Sequence, residues 1–378
     1  MRQSSRSVVS VLCAAFLAAC SSTVASVRDP ERAAAARDAS EWLAAAKHPF
    51  DAQAPRAAMQ PALLAALEGA QAIGIGEASH GNHEDALFKS ELILALFDAG
   101  RIDTLYVEAN REGVEALERA VQDPQADMRT AVSNAAIFRV IKTEGFLHVM
   151  SGLQERSRSG MPVRVVGIDC QATTPDALFA LERLAARDAA TAAQLREELE
   201  LVVGEKARGM RHPELVRGLD TQQLERYIKV LERLEAACAG DARAVDAARR
   251  ARQGLESFRL EASDAKPEEA SMEDWSLRDR FMAENLLADG SHRGVFWGHN
   301  VHVFGGRPNG QLEGYRPSGS FLREALGSRY RVVLFDYVTA EIRAVPVPTD
   351  GSQPDATQPT AVFKREVLPA ALAAELDG

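Results

Sequence analysis

Three histidines and three acids in this chain stand directly behind short apolar runs. Glu77 and His80 follow residues 72–75 in the turn Gly76-Glu77-Ala78-Ser79-His80-Gly81, and Glu108 follows 104–107. Asp169 follows 163–168, and His299 and His302 follow 294–297 in His299-Asn300-Val301-His302. Histidine exchanges a proton near neutral pH, and a carboxylate beside it fixes its tautomer and favours the imidazolium. Opening an ester needs such a base and a donor for the developing oxyanion. His80 is the candidate base, with Glu77 or Glu108 to accept its other ring proton. His299, Lys89 or Arg278 can polarise the carbonyl. Ser79 next to a histidine raises a serine nucleophile, but neighbours in a strand-end turn diverge and no G-x-S-x-G elbow occurs, so water is the expected attacker.

The same residues admit a metal reading, in which His80, Glu77 or Glu84, His299 and His302 supply ligands for zinc, manganese or iron. No HExxH or CxxC pattern accompanies them, so no metal and no cofactor is expected. Structural roles are also open: His302 and Asp169 can brace a turn, and Glu84 with Asp85 can charge the first turn of a helix. His83 can face the site or solvent. His48, His148, His212 and His292 are expected at the surface.

The elements that must position these groups follow from periodicity. Five short apolar runs, at 72–75, 104–107, 163–168, 294–297 and 331–335, alternate with helical stretches. That pattern predicts an α/β fold with a mostly parallel central sheet flanked by helices. Ligands of such sheets bind beyond the carboxyl ends of the strands, where the histidines and acids gather. A helix starting near Asn82 points its free amide groups toward the same region. From about 174 to 260 the chain reads as a long helical insertion between strands, with Leu224, Ile228 and Leu231 on one helix face. Arg278, Met282 and Asn285 share one face of the helix before the run at 294–297. Met282 is expected in the core, Arg278 at the site and Asn285 in a structural role. Residues 346–361, rich in Pro, Thr, Asp and Gln, are expected to be mobile, with a short helix near 368–376.

The segment GEASHGNHEDALFK, residues 76–89, resembles the G-E-x-[ST]-H-G-x-x-E signature and downstream lysine of the erythromycin esterase family. Arg278-Asp279-x-x-Met282-Ala283-x-Asn285, Trp297-Gly298-His299-Asn300-x-His302, and the stretch from Gly319 to Tyr330 agree with it in order. The resemblance spans roughly 70–337. It implies an enzyme that opens a macrolide lactone with water, with His80 as general base, Glu77, Glu108 and His299 in support, and Lys89 and Arg278 at the basic positions. Glu84 and His302 join Lys89 and Arg278 as expected substrate-binding residues.

Arg2 and Arg6, an apolar run at 8–16 and Leu17-Ala18-Ala19-Cys20 read as a lipoprotein signal peptide over 1–19 with Cys20 as the lipidated residue. A lipidated N-terminus and linker at 20–30 then leads into one enzyme domain at 31–378. Ser21 after the cysteine points to the outer membrane, on the periplasmic side. The formal charge of -10, with no basic cluster, excludes a nucleic-acid partner by charge. Cys170 and Cys238 remain in the folded part, and nothing demands that they pair. The expected partners are a small-molecule ester or lactone and, through the lipid, a membrane. The alternatives are an anchored metal- or haem-binding protein, or an envelope-modifying hydrolase or transferase with a non-macrolide substrate.

Overall fold

The computed structural model describes residues 61–80, 82–208, 212–290, 293–308, 313–335, 339–344 and 361–366. The expected signal peptide, Cys20, the linker, the final helix and nearly all of the expected mobile tail lie outside the described residues. Five strands, β1 (Ala72–Ile75), β2 (Thr104–Asn110), β3 (Arg164–Asp169), β4 (Gly294–Trp297) and β5 (Tyr330–Val333), form one sheet in the order β3-β2-β4-β1-β5. Every pairing in it is parallel. The chain runs outward from β1 to β2 and β3, then returns to insert β4 between β1 and β2. Three strand ends carrying candidate groups therefore stand side by side.

Helices of nine residues or more are labelled α1 (His83–Asp98), α2 (Arg111–Gln122), α3 (Glu144–Arg158), α4 (Thr173–Ala185), α5 (Ala189–Glu198), α6 (Thr221–Ala237), α7 (Ala242–Ser257), α8 (Leu277–Ala288) and α9 (Ser318–Leu326). Alternate strand residues point to opposite faces. Ile73, Ile75, Leu105, Val107, Val295 and Trp297 pack against apolar residues of α1, α2 and α3. Ala72, Tyr106, Phe296 and Tyr330 pack on the other face with Met282 and Leu286 of α8 and Leu322 and Leu326 of α9. Each fully buried large side chain contributes about 1.5–3 kcal/mol of transfer free energy, which is why four-residue strands suffice here.

The span from α4 to α7 contains no strand among its described residues and has its own core, including Leu181, Leu195, Val216, Leu231 and Leu255. Buried polar ties fasten it to the sheet. Arg250 Nη1 donates to Gly167 O at 2.8 Å, and Asn285 Nδ2 donates to Ile168 O and Gln253 Oε1 at 3.0 Å each. Met282 is fully buried. Cys170 and Cys238 are both buried and free, and burial pushes the Cys170 thiol up to about 12. Beyond β5, Thr339–Ala344 and Ala361–Glu366 form a separate antiparallel pair, which the periodicity did not anticipate. Among the described residues, no helix is long and apolar enough to cross a membrane.

Candidate functional site

The carboxyl ends of β1, β2 and β4 place the central groups. After β1 the chain passes through Gly76, where a Cβ would stand 2.0 Å from Asn300 Oδ1, so only glycine allows the turns after β1 and β4 to lie together. Asn300 N donates to Glu77 O at 3.0 Å, and Asn300 Nδ2 to Phe335 O at 2.6 Å. Asn82 caps α1 by accepting from Asp85 N at 2.9 Å, while the Asp85 carboxylate accepts from Ala78 N at 3.2 Å. The loop that carries Glu77 and His80 is thus pinned at both ends. Gly319 has a similar role beneath the second turn, since a Cβ there would meet Val303 O at 2.1 Å.

His80 Nδ1 lies 2.7 Å from Glu77 Oε1. The His80 side chain is 46% exposed and that of Glu77 only 12%, so the ring stands between a buried acid and the open side. Burial by itself would raise the Glu77 pKa, but the Lys89 charge and the His80 hydrogen bond outweigh it and hold the carboxyl below its usual range. An ionised carboxylate only accepts, so His80 donates from Nδ1 and keeps the Nε2 lone pair free. Lys89 is fully buried on α1. Its Nζ donates to Gly298 O at 2.8 Å and to Glu77 Oε2 at 3.4 Å, and sits 4.2 Å from the Trp297 ring centroid. These contacts let Lys89 prop Glu77 from beneath.

His299 caps the short helix Asn300–Val303, its Nδ1 accepting from Val301 N at 3.3 Å. That bond leaves the proton on Nε2. Burial, then the nearby His80 and His302, push the His299 pKa down to about 4, so at neutral pH the ring is an uncharged donor. The His80 and His299 ring centroids are 5.1 Å apart. A ring with a free lone pair and a ring with a neutral N–H therefore stand side by side.

Glu108 does not hydrogen-bond to the His80 ring. Its Oε2 accepts from His299 N at 3.2 Å, and its Oε1 lies 2.9 Å from Arg278 Nη2 and 3.3 Å from His302 Nε2. Burial would raise its pKa, but His302 and Arg278 hold the carboxyl at about 2. Arg278 also donates from Nε to Asp169 Oδ1 at 3.1 Å and from Nη2 to Asp169 Oδ2 at 2.9 Å. The guanidinium bridges the carboxylates at the ends of β2 and β3, with its side chain 19% exposed.

His302 Nδ1 lies 2.8 Å from Asp279 Oδ1, a partner to which the sequence assigned no role. Asp279 stands next to Arg278 on α8, and that adjacency is the signal that could have identified it. Glu84 and His83 are exposed in the first turn of α1. Ser79 Oγ donates to His80 O at 3.3 Å, so the hydroxyl is turned to the main chain. His148 is exposed, as expected, and pairs through Nε2 with Glu91 at 2.6 Å. No group of three histidine, cysteine or acid side chains among the described residues is arranged to hold a metal ion.

Fold and site together define an α/β protein of the open parallel-sheet type, with acid–base groups gathered beyond the strand ends. A family model described as Erythromycin esterase matches residues 102–365, and the chain belongs to the erythromycin esterase family. The match includes Glu108, Arg278, His299 and His302, whereas the turn bearing Glu77 and His80 precedes it. A Bacillus cereus protein of known structure is 19% identical with a TM-score of 0.67, covering 86% of this chain and 79% of its own. A succinoglycan biosynthesis protein is 14% identical with a TM-score of 0.62, covering 75% and 70%. A mutant of the erythromycin esterase EreC in its open conformation is 18% identical with a TM-score of 0.59, covering 81% and 78%. At these identities the likeness is one of fold. No curated protein matches the sequence.

Proposed function

We propose that this protein hydrolyses an ester or lactone of a small molecule with a water activated by His80. The observation that carries the reading is the 2.7 Å contact between His80 Nδ1 and a carboxylate held ionised from beneath by Lys89. His80 Nε2 takes a proton as the water oxygen bonds to the carbonyl carbon, and the Glu77 charge stabilises the imidazolium. His299 donates from Nε2 to the developing oxyanion. When the tetrahedral species collapses, the C–O bond breaks and the imidazolium returns its proton to the leaving alkoxide. No acyl-enzyme forms. Glu108 and Arg278 hold the His299 turn against the sheet edge.

The leader sequence supports a further part of the proposal, that the enzyme is exported and tethered by a lipid on Cys20 at the periplasmic side of the outer membrane. Cys20→Ala is expected to move it from the membrane to the soluble envelope fraction, and a variant that sediments like the parent refutes the anchor. The hydrolase itself is tested by mass spectrometry of a panel of macrolides, simpler lactones, aryl esters and acylated sugars after incubation with the parent and with His80→Ala. A lactone product heavier by one water, or an ester split into an acid and an alcohol whose masses sum to the substrate plus one water, formed with the parent alone supports the reading. An equal yield with His80→Ala refutes it.

A further inference from the structure

The Asp279 carboxylate is 1% exposed and lies at a junction of three elements. Its Oδ1 accepts from Ser318 N and Ser318 Oγ at 2.8 Å each, its Oδ2 accepts a short hydrogen bond from the Tyr315 hydroxyl, and both oxygens face His302 Nδ1 at 2.8 and 3.0 Å. Donors on every side keep it ionised, and an ionised carboxylate requires a proton on His302 Nδ1. The other ring nitrogen lies 3.3 Å from Glu108 Oε1, a second anion whose charge favours a proton there as well. Arg278 Nη1, 3.4 Å from the same nitrogen, is the competing donor, but that contact is long, and Asp169 draws the guanidinium toward β3 through Nε and Nη2.

We propose that Asp279 is a positioning residue of this site, holding His302 protonated on both nitrogens so that His302 can clamp Glu108 and, through it, the main chain of His299. The inference rests on the hydrolase reading only for its kinetic consequence. The groups facing His302 are Arg278 and Asp279 from α8, Glu108 from β2, Asp169 behind Arg278 at the end of β3, His299 from its own turn, Tyr315 ahead of α9 and Ser318 at its first position. Three carboxylates thus face one guanidinium. Burial alone would lower the His302 pKa, Asp279 and Glu108 outweigh it, and the net direction is upward. A group so raised keeps its proton at neutral pH and loses it only as pH rises. On that loss the bare Nε2 lone pair opposes Glu108 Oε1, the carboxylate gives up one of its clamps, and the His299 N–H it holds at 3.2 Å is freed to shift.

The test is a titration of the full chain labelled with 15N-histidine, with the His302 resonances assigned by their loss in His302→Gln. In the parent both His302 nitrogens are expected to be protonated at pH 7. In Asp279→Asn, loss of the adjacent charge should lower the midpoint by about one pH unit or more. A His302 already neutral at pH 7 in the parent overturns the proposal without any variant, and so does an unchanged midpoint in a folded Asp279→Asn protein. The kinetic arm is the alkaline fall in kcat on whichever ester the parent cleaves. That fall should move down in pH by the same amount in Asp279→Asn with KM nearly unchanged, whereas a merely structural defect would lower the rate equally at all pH. If the titration behaves as expected and no ester is cleaved, the clamp stands and the hydrolase reading fails.

Discussion

Lys89 is the test case for what holds Glu77 ionised beside His80. It is a lysine with no exposed surface, and its ammonium contacts are Gly298 O at 2.8 Å, Glu77 Oε2 at 3.4 Å and the Trp297 ring at 4.2 Å. Lys89→Met keeps most of the side-chain volume and removes the charge. Gly298 O then loses its donor, and Glu77 is left as a buried anion without its nearest cation. Removing one partner of a buried ion pair costs about 3–5 kcal/mol. At roughly 2–4 °C per kcal/mol, the melting temperature should fall by roughly 6–20 °C. The sign of the pH effect follows from Glu77. Its folded pKa lies below the ordinary value of 4.5, so it contributes stability above that value and loses it as pH falls through the folded pKa. Without Lys89 the remaining burial drives the carboxyl upward, so the contribution shrinks or reverses. The acid limb of activity should move to higher pH, because a protonated Glu77 no longer stabilises the His80 imidazolium. Thermal denaturation at pH 5 and 7, with a pH–rate series, reads both effects. The double variant Lys89→Met with Glu77→Gln should be less destabilised than the sum of the singles. A Lys89→Met protein with the parent's melting temperature and pH profile refutes this account of the buried pair.

Other consequences follow from the same contacts. Gly76→Ala places a Cβ 2.0 Å from Asn300 Oδ1, so stability should fall by about 1–3 kcal/mol and activity with it, as read by urea denaturation and initial rates. Ser79→Ala removes a hydroxyl bonded to a main-chain carbonyl and should keep most of the rate. An acyl adduct on Ser79 in the intact mass under turnover would show that serine is the attacker. His299, depressed from 6.5 to about 4, resists protonation in the folded state while the unfolded chain accepts it. Stability should therefore drop by up to about 3 kcal/mol as pH falls from 6.5 toward 4, and His299→Gln should flatten that slope in a denaturation series.

The runs at 72–75 and 294–297 are strands at the boundaries their residues suggest, because both are buried along their whole length and read as continuous apolar runs. The edge strand β5 begins at Tyr330, one residue before the run at 331–335, and ends at Val333. Only its first residue is fully buried, so hydrophobicity defines it poorly. In the pair at Thr339–Ala344 and Ala361–Glu366, the first segment mixes charged and apolar residues and the second has only three apolar residues before three charged ones, with a long connection between them, so no extended apolar run marks it. The gathering of Glu77, His80, Glu108, Asp169, His299 and His302 at one edge was legible, since each comes just after an apolar run, although Glu108 and Asp169 prove to lie within the ends of β2 and β3. Individual partnerships were not. Glu77 and Glu108 were equivalent candidates beside His80 until β4, inserted between β1 and β2, carried His299 to Glu108 and left Glu77 to His80. Lys89 was singled out by sequence, but its burial was not legible, because a lysine in a helix reads as solvent-facing, whereas α1 is buried from Lys89 through Phe97. Asp279 owes its role to Tyr315 and Ser318, far along the chain.

The central claim is that His80 supplies a lone pair to water, and chemical rescue tests it most directly. The side chain is 46% exposed, so a folded His80→Gly protein has room at its surface for exogenous imidazole. A general base contributes about 10²–10⁴ in rate. His80→Gly should lose activity on that scale on the best ester of the panel and regain part of it with imidazole. The regain should increase with the basicity of a series of substituted imidazoles, and the folded His80→Gly protein should show no response to a non-basic analogue of the same size. A folded His80→Gly protein within a few-fold of the parent rate, or one rescued equally by the non-basic analogue, would contradict the account.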